Sequence, residues 1–272
     1  MPWSWKTTSS FGSPDPQALP GRRARMRARP AGLRRVCSLA LLSAVAAGCC
    51  AASVELSPVQ GRQRALEAAG APSGFVYVPG SYCRLGTADD DADSDHRPLR
   101  RVFLPSFYIG RLEVSEAEWK RFRPEHTIHP GREQYPITRM TREDAEAYCQ
   151  WVGGYLPTED QWEKAARGEN GRRYPWGDVF DPDRCNVKRN GQHTAKAICT
   201  IPGIRKGLRP VDSFPTGASP YGALQMAGNA WEWVVGTYDG NPERHLIRGG
   251  AHGYSERSAR TYERTIEGAG VT

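Results

Sequence analysis

The chain has 272 residues, 39% of them hydrophobic and 10% aromatic, enough for one large or two small domains with a real core. Its 29 glycines and 21 prolines imply that loops rather than long helices wrap much of that core. The net charge of +7 falls in residues 1–48, where Lys6, Arg22, Arg23, Arg25, Arg27, Arg29, Arg34 and Arg35 face a single acid, Asp15, so that 29 of the 37 basic and 29 of the 30 acidic residues lie beyond it. A neutral remainder gives no electrostatic footprint for nucleic acid, and no nucleic-acid partner is expected.

At the N-terminus, the Arg-rich stretch 22–35 precedes an apolar run from Val36 to Ala47, followed by Gly48 and Cys49. Basic residues, about a dozen apolar ones and then small side chains form the order of a secretory signal. The run is shorter than the roughly 20 apolar residues that cross a bilayer as a helix. Ala46, Ala47 and Gly48 before Cys49 resemble a bacterial lipobox, in which the cysteine is acylated and becomes the new N-terminus. Ala46 stands where leucine is usual, so ordinary signal cleavage stays open as the alternative. Met26 would begin a compact signal, which sets residues 1–25 outside the fold. Residues 1–48 thus read as a leader, 49–73 as a small, polar, proline-containing tether and 74–272 as the folded domain. The expected location is exported and membrane-anchored, in the periplasm or at the outer membrane, through lipid on Cys49. Beyond the leader Cys49, Cys50, Cys83, Cys149, Cys185 and Cys199 remain. Thiols tend to pair in an oxidising compartment, and Cys185 and Cys199, which flank a 13-residue loop, are the disulfide candidate.

Within the domain, Phe75-Val76-Tyr77-Val78 alternates and ends on Pro79-Gly80, predicting a short strand. Val102-Phe103-Leu104 and Phe107-Tyr108-Ile109 predict a further strand kinked at Pro105. Ser115, Thr141 and Thr158 each carry a cap hydroxyl with a side-chain acceptor three residues on (Glu118, Asp144 and Gln161), the pattern of a helix start. Ala145, Tyr148, Cys149 and Val152 form one apolar stripe; Trp162, Ala165 and Ala166 form another before Gly168 stops the helix. Beyond Gly168 no helical period recurs. A long irregular half of that kind is held by aromatic anchors, buried hydrogen bonds and, often, bound cations.

Five ordered blocks carry a resemblance. Tyr155-Leu156-Pro157-Thr158-Glu159-Asp160-Gln161-Trp162-Glu163-Lys164-Ala165-Ala166-Arg167-Gly168, Tyr174-Pro175-Trp176-Gly177, Pro210-Val211-Asp212-Ser213-Phe214-Pro215, Met226-Ala227-Gly228-Asn229-Ala230-Trp231-Glu232-Trp233 and Arg248-Gly249-Gly250 resemble the signature of the formylglycine-generating, or sulfatase-modifying factor, family. Phe107-Tyr108-Ile109-Gly110 and Glu113-Val114-Ser115 fit the same pattern upstream. The resemblance implies an α+β domain, a variant of the C-type-lectin-like fold with little regular structure. It also implies a closing Gly-Phe-Arg strand whose cysteine pairs at the Cys149 place; the chain ends at Thr272, leaving a shortened gene model and a lost strand both open.

The family's oxidase activity rests on two cysteines shortly after Arg-Gly-Gly, which bind Cu(I) and use O₂ to convert a sulfatase cysteine to formylglycine. Soft thiolates are what Cu(I) requires. By register Tyr254 and Ala259 occupy those two places, and the lone imidazole of His252 cannot replace two thiolates, so neither copper nor that activity is expected. The resemblance implies Ca²⁺ at two places. One set falls on Gln225, Gly228, Ala230 and Glu232, with a hydrogen-bonded Gly-Asn turn pinned by Trp231 and Trp233 as the equal alternative. The other falls on Asn186 and Val187, with no carboxylate at Gly203 to Arg205 to complete it.

Asp89, Asp91, Asp93 and Asp95 alternate as an EF-hand does, but Ser94 and Arg100 stand where its glycine and glutamate belong, so an exposed acidic loop is expected. His126 and His129 lack a third ligand nearby and read as a solvated loop. The expected function is a membrane-tethered, non-catalytic module that binds a protein or peptide at the envelope. The alternative is a diverged oxidase of the formylglycine-generating or non-haem iron type, although the iron-binding histidines of the family's ergothioneine-pathway relatives belong to a separate helical domain not seen in this sequence.

Overall fold

The computed structural model describes residues 3–4, 8–9, 73–189, 192–193 and 207–267. The leader's end, Cys49, the tether up to residue 72, and Cys199 lie outside them. Five strands open the domain: β1 (Trp3–Ser4), β2 (Thr8–Ser9), β3 (Phe75–Val78), β4 (Ser81–Leu85) and β5 (Arg100–Leu104). They are followed by β6 (Phe107–Gly110), helices α1 (Glu116–Phe122) and α2 (Arg142–Trp151), β7 (Gly154–Tyr155) and helix α3 (Glu159–Arg167). The second half holds β8 (Lys188–Arg189), β9 (Gln192–His193), β10 (Trp231–Thr237), β11 (His245–Arg248) and β12 (Arg264–Ile266). One sheet has the order β1-β10-β11-β12, another β3-β6-β2-β7, and β4-β5 and β8-β9 form two-stranded ribbons.

The three helix starts form where their cap hydroxyls stand. Ser115 and Thr158 make full capping boxes with Glu118 and Gln161. At Thr141 the hydroxyl accepts from the Asp144 amide, but Asp144, one methylene shorter than Glu or Gln, returns to the hydroxyl rather than to the cap amide. Gly168 ends α3 at a φ of 74°.

Two expectations change. The strand kinked at Pro105 is two strands in different sheets: β5 pairs with β4, and β6 pairs with β3. Proline offers no ladder N–H, so the chain changes sheets there instead of bending within one. The segment set outside the fold contributes β1 and β2: β1 runs parallel to β10 at Trp231, and β2 lies between β6 and β7, antiparallel to both. Two-residue pairings of this kind need only an open strand edge.

β10 divides the core. Trp231 and Trp233 pack with Val114, Trp119, Tyr148 and Cys149 of the α1 and α2 side. Val234 joins Trp162, Ala165 and Ala166 of α3 with Val76, Phe107 and Ile109 of β3 and β6. Glu232, fully buried, accepts a hydrogen bond from Trp162 Nε1 at 2.5 Å.

Glu163, Lys164 and Arg167 of α3 are buried as well, which the apolar stripe does not foretell. Glu163 accepts from the Gly86 amide at 2.7 Å, from Arg167 at 2.6 Å and from Arg248 at 3.0 Å. Arg248 also holds Glu159 at 2.6 Å, which Arg264 reaches at 2.9 Å. Burial raises the Glu159 carboxyl, but Arg248 and Arg264 prevail and hold it below its ordinary value. Its contribution to stability is therefore complete above the unfolded value near 4.5 and is lost as pH falls through the lowered one. Arg248→Met would take one of two cations from the buried Glu163 and from the partly buried Glu159, leaving them Arg167 and Arg264, and should lower the urea-unfolding free energy at neutral pH by about 3 kcal/mol. The loss should shrink in acid, where those carboxylates take up protons.

Candidate functional site

The turn before β10 is the polar centre of the domain. Asn229, fully buried at a φ of 65°, accepts from Asn186 Nδ2 at 2.8 Å and from the Arg209 amide at 2.9 Å. Its own Nδ2 donates to Glu113 Oε2 at 2.6 Å, while Glu113 Oε1 accepts from the Ala230 amide at 3.1 Å. Glu113, read from the sequence only as part of a helix entry, thus fixes the turn from 116 residues away. Gly228 is required beside it: a Cβ there would stand 2.3 Å from the Asn186 carbonyl oxygen.

The expected calcium oxygens gather around this turn. Gln225, also at positive φ, donates through Nε2 to the carbonyls of Pro210 and Ser213 and keeps Oε1 buried with no hydrogen-bond partner. An orphaned buried amide oxygen fits a cation ligand. Glu232 has one oxygen committed to Trp162, and the amides of Gly228 and Ala230 are engaged with Gly249 and Glu113, so only their carbonyls could serve a cation. At the other place Asn186 Oδ1 is likewise buried without a partner, and Val187 beside it is fully buried; residues 203–205 lie outside the described residues.

After Arg248 the chain turns through Gly249 and Gly250. A Cβ on Gly250 would meet the Ser258 carbonyl oxygen at 2.6 Å, so the loop that follows is folded closely on itself. The two positions that register assigns to the family cysteines face different clusters. Tyr254 packs edge-on to Trp231, ring centroids 5.3 Å apart, on the α1–α2 side of the core. Ala259 is closed among Tyr174, Cys185, Val187 and Ala227. His252 is buried, and its amide donates to the Asn229 carbonyl. Cys83, Cys149 and Cys185 are buried too; burial pushes the Cys149 thiol far up and Cys185 up to about 12.

The acidic loop is not simply solvated. Asp89 pairs with Arg173 and accepts from the Tyr262 hydroxyl, Asp91 pairs with Arg260, Asp93 with Arg257, and Asp95 lies 3.7 Å from Arg264. Three of those arginines come from the segment that follows Ala259 or surrounds it, more than 160 residues away in the chain. His126, too, has a partner, Glu116, at 2.5 Å.

The chain matches the family described as "Sulfatase-modifying factor enzyme 1-like domain" over residues 63–271. It is 33% identical to the inactive Cα-formylglycine-generating enzyme 2 of Bos taurus, over 64% of this chain and 75% of that one. It is 31% identical to the hercynine oxygenase of Mycolicibacterium smegmatis over 58% of this chain. The chain spans less than half the length of that oxygenase (44%) and of YfmG of Bacillus subtilis (41%). Among solved structures, PvdO of Pseudomonas aeruginosa superposes with a TM-score of 0.54 at 20% identity, over 71% of this chain and 87% of that one, a likeness of fold with mixed helix and strand. With the helix entry at Glu113, the buried turn at Asn229 and the glycines after Arg248 all in place, the chain belongs to the sulfatase-modifying factor, or formylglycine-generating enzyme-like, family.

Proposed function

We propose that this protein is an envelope lipoprotein whose domain, a C-type-lectin-like variant, binds a protein or peptide partner without performing the family's oxidation. The observation that carries the reading is the side-chain chemistry where a thiolate pair would act: an aromatic ring locked against Trp231 and a methyl group sealed in a core cluster. Neither can ligate Cu(I), and the thiols elsewhere in the described residues are held protonated by burial. The likeness to a relative named inactive supports the same reading. The likeness to a hercynine oxygenase supports the oxidase alternative, which the first test below separates.

Processing at Cys49 would remove β1 and β2. The backbone groups of β6 and β7 that face the gap would then await a strand, and an extended peptide adding there is the docking mode we propose. Past the Gly110 end of β6 lies a cavity of about 380 Å³ lined also by Phe75, Tyr148 and the exposed Trp151, an aromatic surface on which a peptide side chain can stack. Calcium, held by Gln225 Oε1, the Gly228 and Ala230 carbonyls and Glu232, with Asn186 and Val187 as a second set, would fix the turn that launches β10.

Purified protein given copper or iron, O₂ and a sulfatase-motif peptide should yield no formylglycine by mass spectrometry; formylglycine formation sinks the non-catalytic reading. The form that begins at Cys49 should bind a synthetic peptide of residues 1–13 with a change in tryptophan fluorescence, whereas the full chain should not. Equal binding by both forms, or by neither, rejects the strand-addition mode. Calcium added to chelator-stripped protein should raise the melting temperature, and Gln225→Leu should remove most of that rise; an unchanged response in the variant excludes this ligand set.

A further inference from the structure

Loop 87–96 and segment 256–264 meet along their ion pairs, and at one rung the groups are those of a metal site. Asp93, His96 and Glu263 each place a ligand-type atom within 4.8 Å of the other two. His96 Nε2 lies 3.7 Å from Glu263 Oε2 and 3.8 Å from Asp95 Oδ1. Its nearest donor is the Arg264 amide at a long 3.4 Å, which leaves the nitrogen lone pair weakly engaged. The other ring nitrogen, Nδ1, is buried with no hydrogen-bond partner in a residue only 5% exposed. That buried nitrogen is a polar atom which the ion pairs around Nε2 leave unexplained. Ligands bound to one ion at about 2.0–2.2 Å stand roughly 3.0–3.5 Å apart, so the 3.7 Å between His96 and Glu263 asks for a small contraction, and Asp93, within 4.8 Å of both, closes by turning its exposed side chain.

Arg257 now supplies the countercharge. It spans the two carboxylates, with Nη2 2.8 Å from Asp93 Oδ1 and Nε 3.2 Å from Glu263 Oε1. Its side chain is 43% exposed and Asp93 is 66% exposed, so the arginine can turn to solvent and an ion can enter past Asp93. Glu263, by contrast, is buried, and burial pushes its carboxyl up against the pull of His96 and Arg257. The guanidinium and a dication would therefore compete for one place.

We propose that Asp93, His96 and Glu263 form a divalent-metal site of the zinc class, where the ion displaces Arg257 and ties loop 87–96 to segment 256–264. Two carboxylates and a neutral imidazole balance a dication. A set containing an imidazole nitrogen suits zinc better than calcium, which takes oxygens throughout. The site is distinct from the oxygen atoms around Gln225 and contains neither family cysteine place.

The test uses the untagged full-length protein with calcium in excess, so that oxygen-only sites are filled before zinc is added. Zinc titration followed by calorimetry should show saturable binding that raises the melting temperature. Asp93→Asn changes an exposed side chain that does not support the core, and should weaken binding about tenfold, the scale on which loss of a supporting group acts. His96→Gln should abolish the zinc-dependent rise in melting temperature. Arg257→Gln should bind about tenfold more tightly, because it removes the competing cation; a residue that merely holds the loop together would not give that gain. Unchanged zinc affinity in both Asp93→Asn and His96→Gln overturns the proposal, as does Arg257→Gln binding no more tightly than the unaltered protein.

Discussion

The charge network buried on α3 is the constraint on which the rest of the described fold depends. A domain built mostly of loops leaves many backbone groups without a ladder partner, and each must be satisfied where water is excluded. A single helix of nine residues answers much of that demand. Lys164 donates to the carbonyls of Pro79, Ser81 and Leu104, and Arg167 to those of Gly86, Gly171 and Arg172. Glu163 takes the Gly86 amide and balances both Arg167 and Arg248. Such a set adds little stability over an apolar replacement of the same shape, but removing one member strands the others. The same charges therefore specify where four loops must lie.

That specification reaches the site through Arg248. The residue closes β11, donates to the Thr261 carbonyl and is followed at once by Gly249 and Gly250, so the direction of the loop that carries Tyr254 and Ala259 is set from α3. The other end of the same loop is held by arginines that reach back to the acidic loop. Between them the Glu113–Asn229–Asn186 chain fixes the turn into β10, and Glu232 and Arg248 stand opposite one another across the β10–β11 pair. Scaffold and family signature thus overlap: Glu163, Lys164, Arg167, Asn229 and Arg248 of the signature hold the loops, while Tyr254 packs its ring against one core cluster and Ala259 its methyl within another. A fold can be retained when reacting groups are replaced, because its polar supports do not pass through the reacting atoms.

The helix entries were legible because capping is local: a hydroxyl and its acceptor three residues on meet whatever surrounds them. Val76, Val78 and the Ala145–Cys149 stripe were legible for the same reason, since periodicity alone assigns a face. The change of sheet at Pro105 was less so, because proline forbids a ladder bond without saying which strand the chain joins next. Asp89 to Asp95 read as solvent-facing because their arginine partners lie far off in the chain, and no local pattern links a carboxylate to a guanidinium at that separation. His96 and Glu263 were invisible together for that reason. The apolar stripe of α3 is silent on Lys164 and Arg167, because the carbonyls of Pro79, Ser81, Leu104 and Gly86 that receive them lie at least 60 residues away in the chain.

The sequence by itself determined the family and the helix starts, since both depend on residue type and short spacing. It also confined the positive excess to residues 1–48. Only the tertiary structure decided that Glu163, Lys164 and Arg167 of α3 are interior, that the acidic loop is laced to the segment around Ala259, and that Asp93, His96 and Glu263 converge. Those are meetings of charges and backbone groups brought together by folding, and their energy depends on distance in space and on burial, neither of which is written along the chain.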